Sequence, residues 1–158
     1  ESLEEIDADV SLEIIGQTPN LKYLNELNKL ISSSKHSKKI TMTPFIKSEE
    51  LISKYLSANL FILPSKSEGL GRVIIEAQST ACPVLVSSNT GMVDLVIENE
   101  TGYIFENNNK HDLSKKIQYI MNNYENALQT GLNSKAFVKE NFSVANFEFG
   151  YKKLFDLV

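Results

Sequence analysis

Five short runs rich in branched apolar residues, Val10 to Gly16, Lys39 to Thr43, Leu60 to Leu63, Pro83 to Ser87 and Gly102 to Phe105, alternate with segments whose apolar residues recur at helical spacing. Such alternation predicts a parallel sheet with helices packed on it, since parallel strands are joined by crossovers rather than tight turns. Leu21, Leu24, Leu27, Leu30 and Ile31 place one helix between the first two runs, and Leu51, Ile52, Tyr55 and Leu56 place another before the third. Val73-Ile74-Ile75 is β-branched and locally favours a strand, but topology overrides it. The 19 residues from Pro64 to Cys82 supply the crossover that two parallel strands need, so Arg72 to Ala81 is expected to be helical, with Glu76 near the helix start.

Beyond Phe105, Asn109 can cap a helix whose third residue is Asp112 and whose apolar positions are Leu113, Ile117, Ile120 and Met121. Phe147, Tyr151, Leu154, Phe155 and Val158 stripe a final helix. The reading is therefore a single α/β domain over residues 1–158, a doubly wound parallel sheet of five visible strands with a helical carboxyl-terminal third. At 158 residues and 42% hydrophobic the chain is large enough for one proper core. A formal charge of −4 argues against a nucleic-acid partner.

Cys82 is the single cysteine, so it forms no intrachain disulfide, and it is read as a small core residue. No apolar run approaches a membrane span or follows a basic leader, and the expectation is a cytoplasmic protein. His36 and His111 lie among polar, Lys-rich neighbours without partners at metal spacing, and both are expected at the surface. Asn99-Glu100-Thr101 and Asn141-Phe142-Ser143 fit the glycosylation acceptor pattern and are read as chance matches in an Asn-rich chain.

Chemistry concentrates in Pro64-Ser65-Lys66-Ser67-Glu68-Gly69-Leu70-Gly71-Arg72-Val73-Ile74-Ile75-Glu76-Ala77, a strand-to-helix loop with two glycines. Amides freed at a helix start carry the positive end of its dipole, and they can be approached closely where side chains are absent, as at Gly69 and Gly71. Glu68 on the loop and Glu76 about one turn inside the helix flank that site. A carboxylate there can accept hydrogen bonds from adjacent ribose hydroxyls, each bond contributing about 1.5–3 kcal/mol. Taken alone, Glu76 reads as a solvent-facing helix residue and Glu68 as a loop residue. Arg72, the only arginine, reads equally as a phosphate contact or a solvated helix start, and Ser65 as a donor contact or the stabiliser of its own turn.

These residues resemble the family 4 glycosyltransferases, retaining nucleotide-sugar enzymes built of two Rossmann domains (the GT-B fold), and specifically their carboxyl-terminal, donor-binding domain. The resemblance rests on Pro-Ser-x-x-Glu-Gly-x-Gly-x-Val-x-x-Glu-Ala, Cys82-Pro83-Val84-Leu85-Val86, the loop Thr90-Gly91-Met92-Val93-Asp94, and Gly102-Tyr103-Ile104-Phe105. It implies that Glu76 holds the ribose and that Glu68 meets the donor sugar at the reacting face. Gly69, Leu70 and Gly71 would offer backbone amides, with Ser65 beside them. Gly91 would lie on a phosphate loop, and Phe45-Ile46 at the turn that holds the base. The donor implied is a UDP- or GDP-linked sugar, with no metal and no further cofactor. The acceptor implied is a glycan or lipid-linked saccharide of surface polysaccharide synthesis, presented by an amino-terminal domain outside this sequence. Such a longer protein leaves room for peripheral association with the inner face of a membrane. Asp7-Ala8-Asp9 matches the Asp-x-Asp metal motif of the other large glycosyltransferase fold, but it precedes a strand instead of following one and is read as a solvated turn.

Departures from the family pattern set further expectations. Thr90-Gly91 stands where a pair of small residues is usual and Asp94 where Glu is common, while Pro44 replaces a frequent Gly and removes a backbone donor. Ala81 also replaces a common Gly, a change that is tolerable if the backbone there stays at negative φ. The family's opening strand, whose loop carries an Arg and a Lys, has no counterpart, and Glu1 to Ile6 reads as the end of the helix that follows it. In the usual strand order that strand is central, so its loss would leave a gap. The chain is accordingly expected to be an excerpt that binds donor weakly and does not turn over alone. Two alternatives are a GT-B phosphorylase and a non-catalytic doubly wound regulatory domain. The first lacks an assignable cofactor lysine, and the second lacks acidic residues clustered at strand ends.

Overall fold

The computed structural model describes residues 2–17, 20–66, 71–88, 93–143 and 146. After a short 3-10 turn at Ser2–Glu5, the order is β1 (Leu12–Ile15), α1 (Leu21–Ser33), β2 (Ile40–Thr43), α2 (Ser48–Ser57), β3 (Phe61–Leu63), α3 (Arg72–Ser79), β4 (Val84–Ser87), β5 (Tyr103–Phe105), α4 (Lys110–Asn122) and α5 (Tyr124–Asn141). Every expected strand forms, shortened at its ends. The β-branched run at Val73-Ile74-Ile75 is helical, as the crossover requires. The stripe from Phe147 to Val158 lies outside the described residues.

All strand pairs are parallel. β1 pairs with β2, Leu12 opposite Ile40, and β3, β4 and β5 pair in that order, with Phe61 opposite Val84 and Leu85 opposite Tyr103. Among the described residues, β1 and β3 each pair along one edge only. The sheet is interrupted between them.

β4 is buried at every position, and its side chains alternate between two cores. Val84 and Val86 join Tyr55, Ile74, Ala77, Cys82 and Val96 on one face, with Phe61, Leu63 and Ile104 packed against them. Leu85 joins Ile6, Tyr103, Phe105, Ile117, Ile120 and Ala127 on the other, with Ile62 alongside. Period-two side-chain direction thus serves a sheet covered on both faces, the doubly wound arrangement. α1 differs: its Asn20 cap accepts from the Lys22 and Tyr23 amides, yet it buries no residue, and Leu21 and Leu30 stay exposed.

The end of α3 corrects one expectation. The Cys82 amide donates to the Ala77 carbonyl (3.2 Å) and the Ala81 amide to the Gln78 carbonyl (3.0 Å), a Schellman closure in which Cys82 and Ala77 share the core. Ala81 occupies the position that glycine usually fills, and its φ is +63°, not negative. Holding alanine there costs about 1–2 kcal/mol. α5 packs against α3, with Gly131 seated on the Ala81 carbonyl, while Ala127 joins the core around Leu85.

Candidate functional site

The carboxyl ends of β3, β4 and β5 lie side by side, the edge at which open α/β sheets bind ligands. Ser65 follows β3, and its carbonyl accepts a 2.5 Å hydrogen bond from the Ser87 hydroxyl at the end of β4. The Ser88 amide donates to the Phe105 carbonyl at the end of β5 (2.9 Å). Ser65 is therefore tied to β4 through its backbone carbonyl.

Gly71 opens α3. It is buried with φ +38° and ψ +43°, left-handed geometry that glycine adopts without strain, and its carbonyl accepts from the Ile74 amide at 2.7 Å. Arg72 is exposed at the first helical position. Glu76 lies on the second turn of α3, half-buried and neither solvated nor sealed in the core. Its charge bears on the Tyr55 phenol of α2. Tyr55 is 5% exposed, and its ring meets Phe61 edge-on with centroids 5.4 Å apart. Burial first, and then the Glu76 charge, push the Tyr55 phenol from 10.0 up to about 12.

Phe45 and Ile46 follow β2 in the turn leading into α2, Phe45 74% exposed and Ile46 half-buried. Through α2 that turn is continuous with Tyr55. Glu68, Gly69, Leu70 and Gly91 lie outside the described residues. The described part of the site thus joins Ser65, Gly71 and Glu76 around one strand-to-helix connection, with Phe45 and Ile46 on the neighbouring one.

Two positioning residues escaped the sequence reading. Tyr55 looked like one more apolar member of the α2 stripe, although a buried tyrosine needs a partner for its hydroxyl. Gln78 is fully buried four residues after Ile74, and its amide donates to the Leu95 carbonyl (3.0 Å) and the Thr101 carbonyl (3.4 Å), tying α3 to the segment before β5. A polar residue on an otherwise apolar helix stripe was the available signal.

Cys82 is buried, and burial pushes its thiol from 9.0 up to about 11, which suits a packing role and not a nucleophile. His111 is exposed and contacts Glu5 at 2.8 Å, whereas His36 is half-buried. Asp9 pairs with Lys39, and Asp7 and Asp9 precede β1. Among the described residues, no three His, Cys, Asp or Glu side chains converge as metal ligands, and no helix is long and apolar enough to cross a membrane.

A parallel, doubly wound sheet with a glycine-opened helix at its carboxyl edge defines a Rossmann-like domain of the GT-B kind. Residues 1–137 match the family Glycosyl transferases group 1, and the chain belongs to that family. It is 36% identical over 92 residues to the capsular polysaccharide biosynthesis glycosyltransferase CapM of Staphylococcus aureus, covering 58% of this chain and 24% of that protein. With an uncharacterised glycosyltransferase of Methanocaldococcus jannaschii it shares 32% over 108 residues, or 68% of this chain and 30% of that one. The chain thus spans about a quarter to a third of these relatives. Among solved structures, Anabaena HepE in complex with UDP and glucose superposes with a TM-score of 0.90 at 18% identity, over 99% of this chain and 43% of that one. The carboxyl-terminal domain of a group 1 glycosyl transferase from Francisella tularensis gives 0.78 at 22% identity, over 85% and 70%.

Proposed function

We propose that residues 1–158 form the donor-binding part of a retaining glycosyltransferase that moves a hexose from a UDP- or GDP-linked donor to a glycan or lipid-linked acceptor of a surface polysaccharide. The observation that carries this reading is the placement of Glu76, half-buried on the helix that Gly71 opens and close enough to the buried Tyr55 for its charge to raise that phenol. In this reading Glu76 accepts from the two ribose hydroxyls. The amides of Gly69, Leu70 and Gly71 and the start of α3 meet the diphosphate, and Gly91 approaches it from the next loop. Glu68 faces the donor sugar while the acceptor hydroxyl attacks from the face the diphosphate leaves. Phe45 and Ile46 border the base. The diphosphate charge is met by amides, the helix dipole and cations without a metal. CapM, named for capsular polysaccharide biosynthesis, supports the glycan assignment, and the UDP complex of HepE supports the nucleotide.

The unpaired edges of β1 and β3 are where the order 3-2-1-4-5-6 seats its central strand. We place a sixth parallel strand there, supplied by polypeptide outside residues 1–158, together with an acceptor domain, and locate the whole enzyme in the cytoplasm at the inner membrane face. Calorimetric titration with UDP, GDP and ADP, first on this chain and then on a longer one carrying a preceding strand, tests the assignment. Binding of one nucleotide that strengthens in the longer chain and disappears with Glu76→Ala is expected. Failure of the longer chain to bind any of the three overturns it.

A further inference from the structure

Beside β5, the segment leading into that strand meets α4 and α5 around two adjoining cavities of about 340 and 280 Å³, which share Asn99 and Tyr119. We propose that this trough binds a neutral saccharide unit, at a site distinct from the donor site and independent of the reading given to it.

The first argument is composition. Residues 126–134 of α5 contain no charged side chain, although solvated helix faces normally carry Lys and Glu. Asn126, Gln129 and Asn133, spaced i, i+3 and i+7, lie on one exposed face of that helix and line the smaller cavity. Gln129 Nε2 donates to Asn133 Oδ1 (3.0 Å), which aligns these two carboxamides, and their remaining donors and acceptors with those of Asn126 are of the kind that vicinal hydroxyls require. Tyr119 adds an aromatic surface, 48% exposed, with its ring 6.3 Å from Tyr103.

Charge and rigidity point the same way. In the larger cavity two acids face two bases: Lys116 pairs with Glu98 at 2.5 Å, and Asp112 accepts from the Glu106 amide. The lining is therefore close to neutral and favours an uncharged ligand. The wall formed by the loop is held in place before any ligand arrives. Asn99 sits at φ +62° with its amide on the Gly102 carbonyl (2.9 Å), Thr101 Oγ1 accepts from the Ile97 amide (2.8 Å), and Asn133 Nδ2 reaches the Glu100 carbonyl (3.3 Å). A wall already ordered loses little entropy on binding.

The test is a ¹⁵N-resolved titration of this chain with maltotriose, cellotriose and triacetylchitotriose, each to about 20 mM, suited to a millimolar Kd. At least one is expected to shift the side-chain amides of Asn99, Asn126, Gln129 and Asn133. Its affinity should fall about tenfold or more in the double variant Gln129→Ala/Asn133→Ala and in Tyr119→Ala, and also in Asn126→Ala, an exposed position apart from the Asn133–Glu100 and Tyr119–Tyr103 contacts, where the thermal midpoint should stay in place. Shifts should persist in Glu76→Ala, which separates this site from the donor site. Absence of shifts at these amides with all three sugars, or shifts that survive unchanged in the double variant, overturns the proposal.

Discussion

Tyr55 on α2 lies close enough to Glu76 on α3 for the carboxylate charge to raise its phenol, so the side chain assigned to the ribose has a neighbouring helix beside it. The tyrosine ring is itself fixed by burial and by Phe61. Glu76→Ala is expected to eliminate nucleotide binding. Tyr55→Phe keeps the ring packing and removes the polar group beside the carboxylate, a change of about 1 kcal/mol, so affinity for UDP or GDP should drop about five-fold. Calorimetry on both variants checks this, and wild-type affinity in Tyr55→Phe would show that Tyr55 does not orient the carboxylate for ligand.

Alkaline stability follows from two raised pKa values. Tyr55 moves from 10.0 to about 12 and Cys82 from 9.0 to about 11, each chiefly through burial. The folded state therefore holds protons that the unfolded chain releases, and their stabilisation is complete below pH 9. As pH rises, the Cys82 part is lost between 9.0 and about 11 and the Tyr55 part between 10.0 and about 12. Urea melts across that range should show falling stability, with a shallower fall at its upper end in Tyr55→Phe and at its lower end in Cys82→Ala. Parallel slopes in wild type and variants would place the loss elsewhere.

Ala81→Gly is expected to stabilise the protein. The substitution relieves the cost of left-handed alanine at φ +63° and gives back part of it as unfolded-chain entropy, for a net gain of about 0.5–1 kcal/mol. At this chain length the thermal midpoint should rise by about 1–4 °C. Ala81→Val, β-branched at the same position, should lower it, and equal midpoints for Gly and Val would show that this backbone is not left-handed.

The legible parts of this fold were those written in periodicity. Alternating Val84, Leu85 and Val86 mark a strand buried on both faces, and the Asn109 cap marks the start of α4, where its side chain accepts from the Asp112 amide at 3.0 Å. The α3 crossover was legible only through topology, because its local preference points to a strand. α5 was legible only as part of a helical carboxyl-terminal third and not as a separate element, because its buried face is Ala127, Thr130, Gly131 and Ser134, small or polar residues with little apolar contrast. The Schellman turn was hidden because alanine stands where glycine would have announced it. In the site, Gly71 and Glu76 were visible as a motif, whereas the approach of Tyr55 to Glu76 depends on how two helices meet, which no spacing along the chain encodes.

α5 seats closely on the turn that ends α3, at Gly131. A Cβ placed on Gly131 would lie 2.2 Å from the Ala81 carbonyl oxygen and 3.4 Å from the Pro83 nitrogen. Those are backbone atoms of the turn leading into β4, and no side-chain rotation clears them. Gly131→Ala must therefore push α5 off that turn, opening contacts along Ala127, Ser134 and Val138, for a cost of about 1–3 kcal/mol despite alanine's better helix propensity. By contrast Leu132→Ala, one residue along at a position 56% exposed, should cost well under 1 kcal/mol. Urea denaturation of the pair resolves the two, and a Gly131→Ala variant as stable as wild type would mean that α5 does not sit against the Ala81 carbonyl.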